Sequence, residues 1–101
     1  MGFYTGKKIL VTGGTGTIGR HLIQHLLQDQ PRVIRVYSRD EYKQYEMSQE
    51  LASHHERMRY LIGDVRDLQR LSRAMEDIDF VFHLAAMKHV PFCEYNPFEA
   101  V

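Results

Sequence analysis

The sequence has a single cysteine, Cys93, no tryptophan and three prolines among its 101 residues. One cysteine excludes an internal disulfide framework and is typical of a reducing compartment. No apolar run approaches the roughly 20 residues that a membrane-spanning helix needs, and the opening segment MGFYTG lacks a signal-peptide core. The 13 basic and 13 acidic side chains cancel, so charge favours neither a nucleic acid nor a membrane as partner. We therefore expect a cytoplasmic protein that binds neither.

The most informative stretch is TGGTGTIG, residues 12–19, which follows an apolar run and opens an amphipathic one. It places Gly13, Gly16 and Gly19 at a G-x-x-G-x-x-G spacing. The first glycine allows a sharp turn out of a strand, the second lets backbone approach a pyrophosphate, and the third lets a helix pack closely on a sheet. The amides and the positive dipole end of the helix's first turn would face that anion. The turn therefore predicts a nucleotide-binding site.

Strand patterns alternate with helix patterns along the chain, which has the 44% apolar and 26% charged residues of one soluble domain or part of one. Strands are predicted at 7–12, 33–37, 58–62 and within 79–86, and helices at 17–28, from 38 to about 54 and across 68–78. This alternation predicts a Rossmann-like, doubly wound α/β fold with a parallel sheet in the order 3-2-1-4.

The start of the second helix carries a capping-box pattern. Ser38 would cap the helix and Glu41 would close the box. The apolar stripe of this helix is thin, which predicts a position on the rim of the fold. Its members are Tyr42, Tyr45, Met47 and Leu51.

The end of the second strand indicates which cofactor the site prefers. An NAD enzyme usually places an acidic residue there for the ribose 2′-hydroxyl, but this sequence has Ser38 and Arg39. A guanidinium can pair with a 2′-phosphate, and Lys43 could add a second cation. The sequence therefore favours NADP over NAD. The alternative is that Ser38 only caps the helix, that Arg39 is a solvated charge, and that Asp40 partly repels a phosphate.

Two further segments are expected at the same edge of the sheet. After the third strand, Asp64 could accept from the adenine amino group while Val65 packs the ring, or Asp64 could cap the next helix. After the fourth strand, Lys88 is either a contact to the cofactor or a sugar phosphate, or a surface lysine. Small or apolar residues precede it where backbone would pass a nicotinamide ribose, namely Leu84, Ala85 and Ala86.

Six histidines raise the possibility of a metal site. His21 and His25 stand four apart on the first helix, but no third ligand lies near them in the sequence. We expect them to be solvated, with no metal bound, and we expect His83 to pack within the fourth strand. No base stands beside Cys93, so it is assigned no nucleophilic role.

The segments TGGTGTIG, SRDEYKQYEM, GDVRD and HLAAMKHVPFCEYNPFEA together resemble the extended short-chain dehydrogenase/reductase superfamily. Within it they resemble the inverting UDP-N-acetylglucosamine 4,6-dehydratases, lyases that begin pseudaminic acid synthesis. The resemblance implies that the NADP pyrophosphate binds Thr15, Gly16, Thr17 and Ile18, and that the 2′-phosphate binds Ser38, Arg39 and Lys43. It likewise implies adenine at Asp64 and Val65, nicotinamide ribose at Leu84 and Ala85, and Lys88 where cofactor and UDP-sugar substrate meet.

The implied reaction removes hydride from C4 of the sugar, eliminates water across C5 and C6, and returns hydride at C6 with inversion at C5. Its Asp-Lys pair and Tyr-x-x-x-Lys are expected beyond Val101, and the match from Tyr4 to Lys8 is a coincidence of spacing. We therefore expect residues 1–101 to be the N-terminal part of an NAD(P)-binding domain, inactive alone and prone to associate as a homo-oligomer. The alternatives are a nucleotide-sugar 4-epimerase and a non-catalytic nucleotide-binding module.

Overall fold

The computed structural model describes residues 2–13 and 15–84, which form a four-stranded parallel sheet. The strands are β1 (Lys8–Thr12), β2 (Val33–Ser38), β3 (Met58–Ile62) and β4 (Phe80–His83). Their order in the sheet is β3-β2-β1-β4, and each neighbouring pair is parallel. The predicted α/β class and the predicted strand order are confirmed.

The crossovers contain the helices α1 (Thr17–Leu27), α2 (Glu41–Glu50) and α3 (Leu68–Ala74), and a 3-10 helix (Ala52–Arg57) precedes β3. Helix α1 forms because apolar residues recur at helical spacing and are buried against the sheet. It ends at Leu27, since Gln30 adopts a φ of 55° and Pro31 follows. No helix in the described part of the chain is both long and apolar enough to cross a membrane.

The sheet is covered on both faces, so the central strands are buried almost continuously, as parallel strands generally are. On one face α1 packs on β1, β2 and β3 in a core that includes Ile9, Val11, Ile23, Leu26, Ile34, Val36, Met47 and Met58. On the other face a smaller core contains Leu10, Tyr37 and Ala74. The two cores bury β1 and β2 between them, and because every neighbouring pair of strands is parallel, the carboxyl ends of all four strands lie at one edge.

The predicted capping box at the start of α2 is wrong. Ser38 still belongs to β2, and Asp40 is the N-cap, with its carboxylate accepting from the Lys43 amide at 2.9 Å. Asp40 takes this role because β2 runs one residue further than the sequence pattern suggests, and a carboxylate caps as well as a hydroxyl.

The extent of α2 and its buried face also differ from the prediction. The helix ends at Glu50, before the 3-10 helix, and does not continue to residue 54. Tyr42 and Tyr45 are exposed, whereas Gln44 is buried beside Met47. Met47 and Leu51 of the predicted stripe are buried, so the inward face of α2 combines part of that stripe with Gln44.

The last two elements are shorter than predicted. Helix α3 ends at Ala74 instead of continuing to residue 78, because Asp77 adopts a φ of 61° and turns the chain toward β4. Leu68 and Met75, two of its four marker residues, are exposed. Strand β4 lies within the predicted range, of which residues 85–86 are outside the described part of the chain.

Candidate cofactor-binding site

An open cleft of about 1090 Å³ lies at the carboxyl ends of the strands, beside the point where the strand order reverses between β1 and β4. We call it the switch-point cleft. Its walls come from the turn after β1, the end of β2 with the start of α2, the turn after β3, and the end of β4. They consist of Gly13, Thr15, Gly16, Tyr37, Ser38, Arg39, Asp40, Glu41, Lys43, Gly63, Asp64, Val65, Arg66 and His83.

Two glycines of the turn after β1, Gly13 and Gly16, line the cleft, and they differ in backbone conformation. Gly13 has a φ of 70°, which glycine adopts readily, and its amide donates to the Tyr37 carbonyl at 2.8 Å. Gly16 has an extended backbone, φ −78° and ψ 179°, that any residue can adopt. No atom of the described residues lies within 4 Å of the position that its Cβ would occupy, its two chain neighbours and the backbone of α1 aside. The space beside Gly16 is therefore left open by residues 2–13 and 15–84.

Gly16 is also the N-cap of α1, and no side chain in the described residues bonds to this helix terminus. The first-turn residues Thr17 and Ile18 are exposed, whereas Gly19 is buried. None of the three is among the residues that line the switch-point cleft. What the first turn can offer a ligand is therefore its backbone amides and the positive end of the helix dipole.

The predicted residues at the end of β2 lie together in the cleft. Ser38 is nearly buried, and its hydroxyl is 2.8 Å from the Gln44 side-chain nitrogen. The Arg39 side chain is 72% exposed, with its guanidinium 3.6 Å from the Asp64 carboxylate. Lys43 lines the cleft one turn into α2. The structure thus places a hydroxyl and two cations on one wall, with Asp40 and Glu41 beside them.

Asp64 lies between two arginines. Its carboxylate accepts from the Arg66 guanidinium at 3.1 Å and from the Arg66 amide at 2.9 Å. These hydrogen bonds, with a smaller effect of the Arg39 charge, hold the pKa of Asp64 below its usual range. Asp64 does not cap α3, since Asp67 does so by accepting from the Arg70 amide. Arg66 was missed by sequence reasoning because nothing in the segment GDVRD marks which of its charges meet.

Tyr37 forms the floor of the cleft between β2 and the turn after β3. Its hydroxyl donates to the Asp64 carbonyl at 2.7 Å, and burial is the main reason that its pKa is raised. Gly63 packs against this ring, and a Cβ there would collide with the ring and with Arg70. The pair was not predicted, because a tyrosine at the end of a strand carries no sequence signal of its partner.

The β4 end of the cleft contains His83, whose Nδ1 is 2.6 Å from the Thr12 hydroxyl. His83 is half-buried within the strand, as expected. Leu84 packs against the larger core and does not line the cleft. The other predicted residues of this segment, Ala85, Ala86 and Lys88, lie outside the described part of the chain.

The described residues contain no group of three side chains that could hold a metal ion. His21 and His25 are exposed on α1, as the sequence predicted.

A parallel 3-2-1-4 sheet with a glycine turn at its switch point defines a protein of the Rossmann-like class. A model of the polysaccharide biosynthesis protein family matches residues 9–101, and the chain belongs to that family.

Relatives include enzymes of two activities. The inverting UDP-N-acetylglucosamine 4,6-dehydratase of Campylobacter jejuni is 57% identical over 97% of this chain and 29% of its own length. An uncharacterized membrane protein of Methanocaldococcus jannaschii is 57% identical over 98% of this chain and 29% of its own. The UDP-glucose 4-epimerase of Rickettsia typhi is 40% identical over 97% of this chain and 29% of its own. The chain thus spans about 29% of the length of these relatives.

Solved structures extend the likeness to the fold. The X-ray structure of Pen from Bacillus thuringiensis is 53% identical, with a TM-score of 0.83, over 100% of this chain and 31% of that chain. A short-chain dehydrogenase/reductase from Veillonella parvula in complex with NADP is 25% identical, with a TM-score of 0.62, over 76% of this chain and 34% of that chain. The predicted resemblance to the short-chain dehydrogenase/reductase superfamily and to its inverting dehydratases is confirmed.

Proposed function

We propose that this chain forms the cofactor-binding part of an NADP-dependent nucleotide-sugar enzyme, an inverting UDP-N-acetylglucosamine 4,6-dehydratase. The observation that carries the proposal is Gly16, which caps α1 without a side chain and borders space that no atom of the described part of the chain fills. A glycine that the protein's own packing does not require is accounted for by a ligand that approaches the backbone closely.

The pyrophosphate fits at this turn. The amides of Thr15, Gly16, Thr17 and Ile18 would donate to its oxygens, and the dipole of α1 would favour its negative charge. Gly13 would hold the turn in its left-handed conformation, and Gly19 would keep α1 close to the sheet.

The wall at the end of β2 fits a 2′-phosphate. Ser38 would donate a hydrogen bond to it, and Arg39 and Lys43 would supply positive charge. The absence of an acidic residue at position 38 or 39 favours NADP, whereas Asp40 opposes it by repulsion.

Adenine would lie between this wall and the turn after β3. Val65 would pack on the ring, and Asp64 would accept from the adenine amino group. Asp64 is ionised at neutral pH, as an ordinary aspartate is, so its carboxylate can only accept.

The nicotinamide ribose would bind near Leu84, Ala85 and Ala86, and Lys88 would contact both cofactor and UDP-sugar. When bound, the cofactor accepts a hydride and returns it. We propose that residues 1–101 supply the N-terminal part of the NAD(P)-binding domain and that the catalytic groups lie beyond Val101. The purified 101-residue chain should then leave UDP-N-acetylglucosamine unchanged, and turnover by it would contradict this assignment.

The second candidate is a nucleotide-sugar 4-epimerase, which the relative that is 40% identical favours. Such an enzyme would use the same glycine turn, so the binding of the pyrophosphate does not separate the two activities. The identity of 57% to a dehydratase over nearly the same span favours the dehydratase.

Calorimetric titration of the chain with NADP and with NAD tests the cofactor. We expect tighter binding of NADP, and we expect Arg39→Ala to weaken NADP alone by about tenfold, the effect of losing one charged hydrogen bond. Arg32→Ala is the matched control, because Arg32 is an exposed arginine that directly precedes β2, at the end of that strand away from the cleft. Binding of neither cofactor, or equal binding of both, would contradict the proposal.

A further inference from the structure

Gln44 is a buried polar residue in a helix that is otherwise mostly exposed. Among the ten residues of α2 only Gln44 and Met47 are buried. Glutamine is seldom buried, because its amide loses hydrogen bonds to water unless the protein replaces them. The burial of Gln44 beneath the end of β2 should therefore be explained by the hydrogen bonds of its side chain.

The side-chain nitrogen of Gln44 joins the ends of two strands. It lies 2.8 Å from the Ser38 hydroxyl oxygen, 2.8 Å from the Leu61 carbonyl oxygen and 3.5 Å from the Ser38 carbonyl oxygen. Carbonyl oxygens can only accept, so the atom that faces them must be the amide nitrogen and not the amide oxygen. Gln44 is therefore a donor toward Ser38.

This direction determines what the Ser38 hydroxyl can do. A hydroxyl has one proton to donate, and its oxygen here already accepts from Gln44. The proton of Ser38 is thus available for another acceptor, and Ser38 lines the switch-point cleft.

We propose that Gln44 is a positioning residue for cofactor choice, which holds the Ser38 hydroxyl as a donor toward the 2′-phosphate of the adenosine ribose. The inference rests on the proposed function. In this arrangement Arg39 and Lys43 supply charge, while Gln44 touches no ligand and acts through Ser38. Cofactor choice then depends on a residue that lies behind the binding wall.

Two substitutions of Gln44 test the inference with NADP and NAD as probes. Gln44→Met keeps the length of the side chain but cannot donate. Gln44→Leu puts a branched apolar side chain at this buried position and likewise cannot donate. Gln49→Met is the matched control, because Gln49 is an exposed glutamine of the same helix. Calorimetry gives the affinity of each variant for both cofactors, and thermal unfolding gives its stability.

We expect both Gln44 variants to bind NADP about tenfold more weakly, as for the loss of one hydrogen bond to a charged group, and NAD within about twofold of the original chain. Gln49→Met should change neither affinity. The ratio of the two affinities is decisive, since damage to the fold would weaken both cofactors together. Where Gln44→Met fails to fold, Gln44→Leu carries the test.

A double-mutant cycle supplies the second readout. Once Ser38→Ala has removed the hydroxyl, Gln44→Met should produce no further change in the ratio, whereas additive losses would overturn the inference. If the original chain prefers NADP and both Gln44 variants keep that preference, the inference is overturned and the proposed function is not. A chain without any preference for NADP overturns the proposed cofactor, and the inference with it.

Discussion

At the scale of single residues, a substitution of Gly16 should weaken cofactor binding and leave the stability of the fold nearly unchanged. A methyl group there meets no atom within 4 Å among the residues that the structure describes, and the backbone is extended. Gly16→Ala should therefore change the free energy of unfolding by less than about 1 kcal/mol, since a poorer cap offsets a stiffer unfolded chain. It should weaken NADP by at least about tenfold by filling the space of the pyrophosphate. Denaturant unfolding and calorimetry measure the two effects.

Gly63→Ala is the contrasting control. Its Cβ would collide with the Tyr37 ring and with Arg70, so overpacking should cost about 1–3 kcal/mol of stability. A Gly16→Ala chain that binds NADP as tightly as the original would refute a ligand at this turn.

The carboxyl of Asp64 provides a test by titration. Arg66→Ala should raise the pKa of Asp64 more than Arg39→Ala does, because Arg66 donates a hydrogen bond at 3.1 Å and Arg39 lies 3.6 Å away. Carboxyl NMR shifts followed against pH measure both changes. Arg73→Ala, which removes an exposed arginine of α3, is the control and should leave the pKa unchanged.

The same contact predicts a dependence of stability on pH. The pKa of Asp64 is lower in the folded than in the unfolded chain. Its stabilising contribution is therefore present above the unfolded pKa of about 3.9 and is lost as pH falls through the folded pKa. In Arg66→Ala the folded pKa of Asp64 should lie closer to its unfolded pKa, so the free energy of unfolding should fall less as the pH is lowered. The same dependence on pH in the variant and in the original chain would count against the contact.

At the scale of elements, α2 depends on its cap. Asp40→Ala should lower the free energy of unfolding by about 1 kcal/mol, because the Lys43 amide loses its acceptor. Asp40→Asn keeps the cap and should leave stability nearly unchanged, while removal of a negative charge from the cleft strengthens NADP binding. Urea unfolding and calorimetry on the two variants separate these roles. Equal stability of Asp40→Ala and the original chain would mean that the cap does not matter.

At the scale of the whole molecule, cofactor binding should be visible as thermal stability. A ligand at 100 times its Kd stabilises the folded state by about 2.7 kcal/mol. For a domain of this size, about 1 kcal/mol shifts the Tm by about 4–8 °C. We expect NADP to raise the Tm more than NAD at equal concentration. Equal shifts would contradict the proposed choice of cofactor.

The edge of the sheet predicts the behaviour of the chain in solution. Within residues 2–13 and 15–84, β4 has one neighbour, β1, and Val81 on it is exposed. An apolar edge strand of this kind favours association. Solution scattering should show an apparent mass that rises with concentration, and Val81→Lys should reduce the rise. A monodisperse monomer at all concentrations would contradict the expected homo-oligomer.

The sequence by itself determined the α/β class, the order of the strands, and the glycine turn at the start of α1. The class and the turn depend on apolar residues spaced along one element and on glycines at a turn, so neighbouring residues specify them, whereas the order follows from the topology that such an alternation of strands and helices favours. The bounds of β1, β3 and α1 were accordingly close to those observed.

Only the tertiary structure decided the cap of α2, the burial of Gln44 and the partners of Asp64. Gln44 meets Leu61 from 17 residues away, and Thr12 meets His83 from 71 residues away. A side chain that finds its partner across the sheet leaves no periodic pattern in the sequence, because the hydrogen bond depends on where the backbone brings two distant segments together. The sequence therefore predicted some of the residues that line the switch-point cleft, but it did not predict the hydrogen bonds that hold those residues in place.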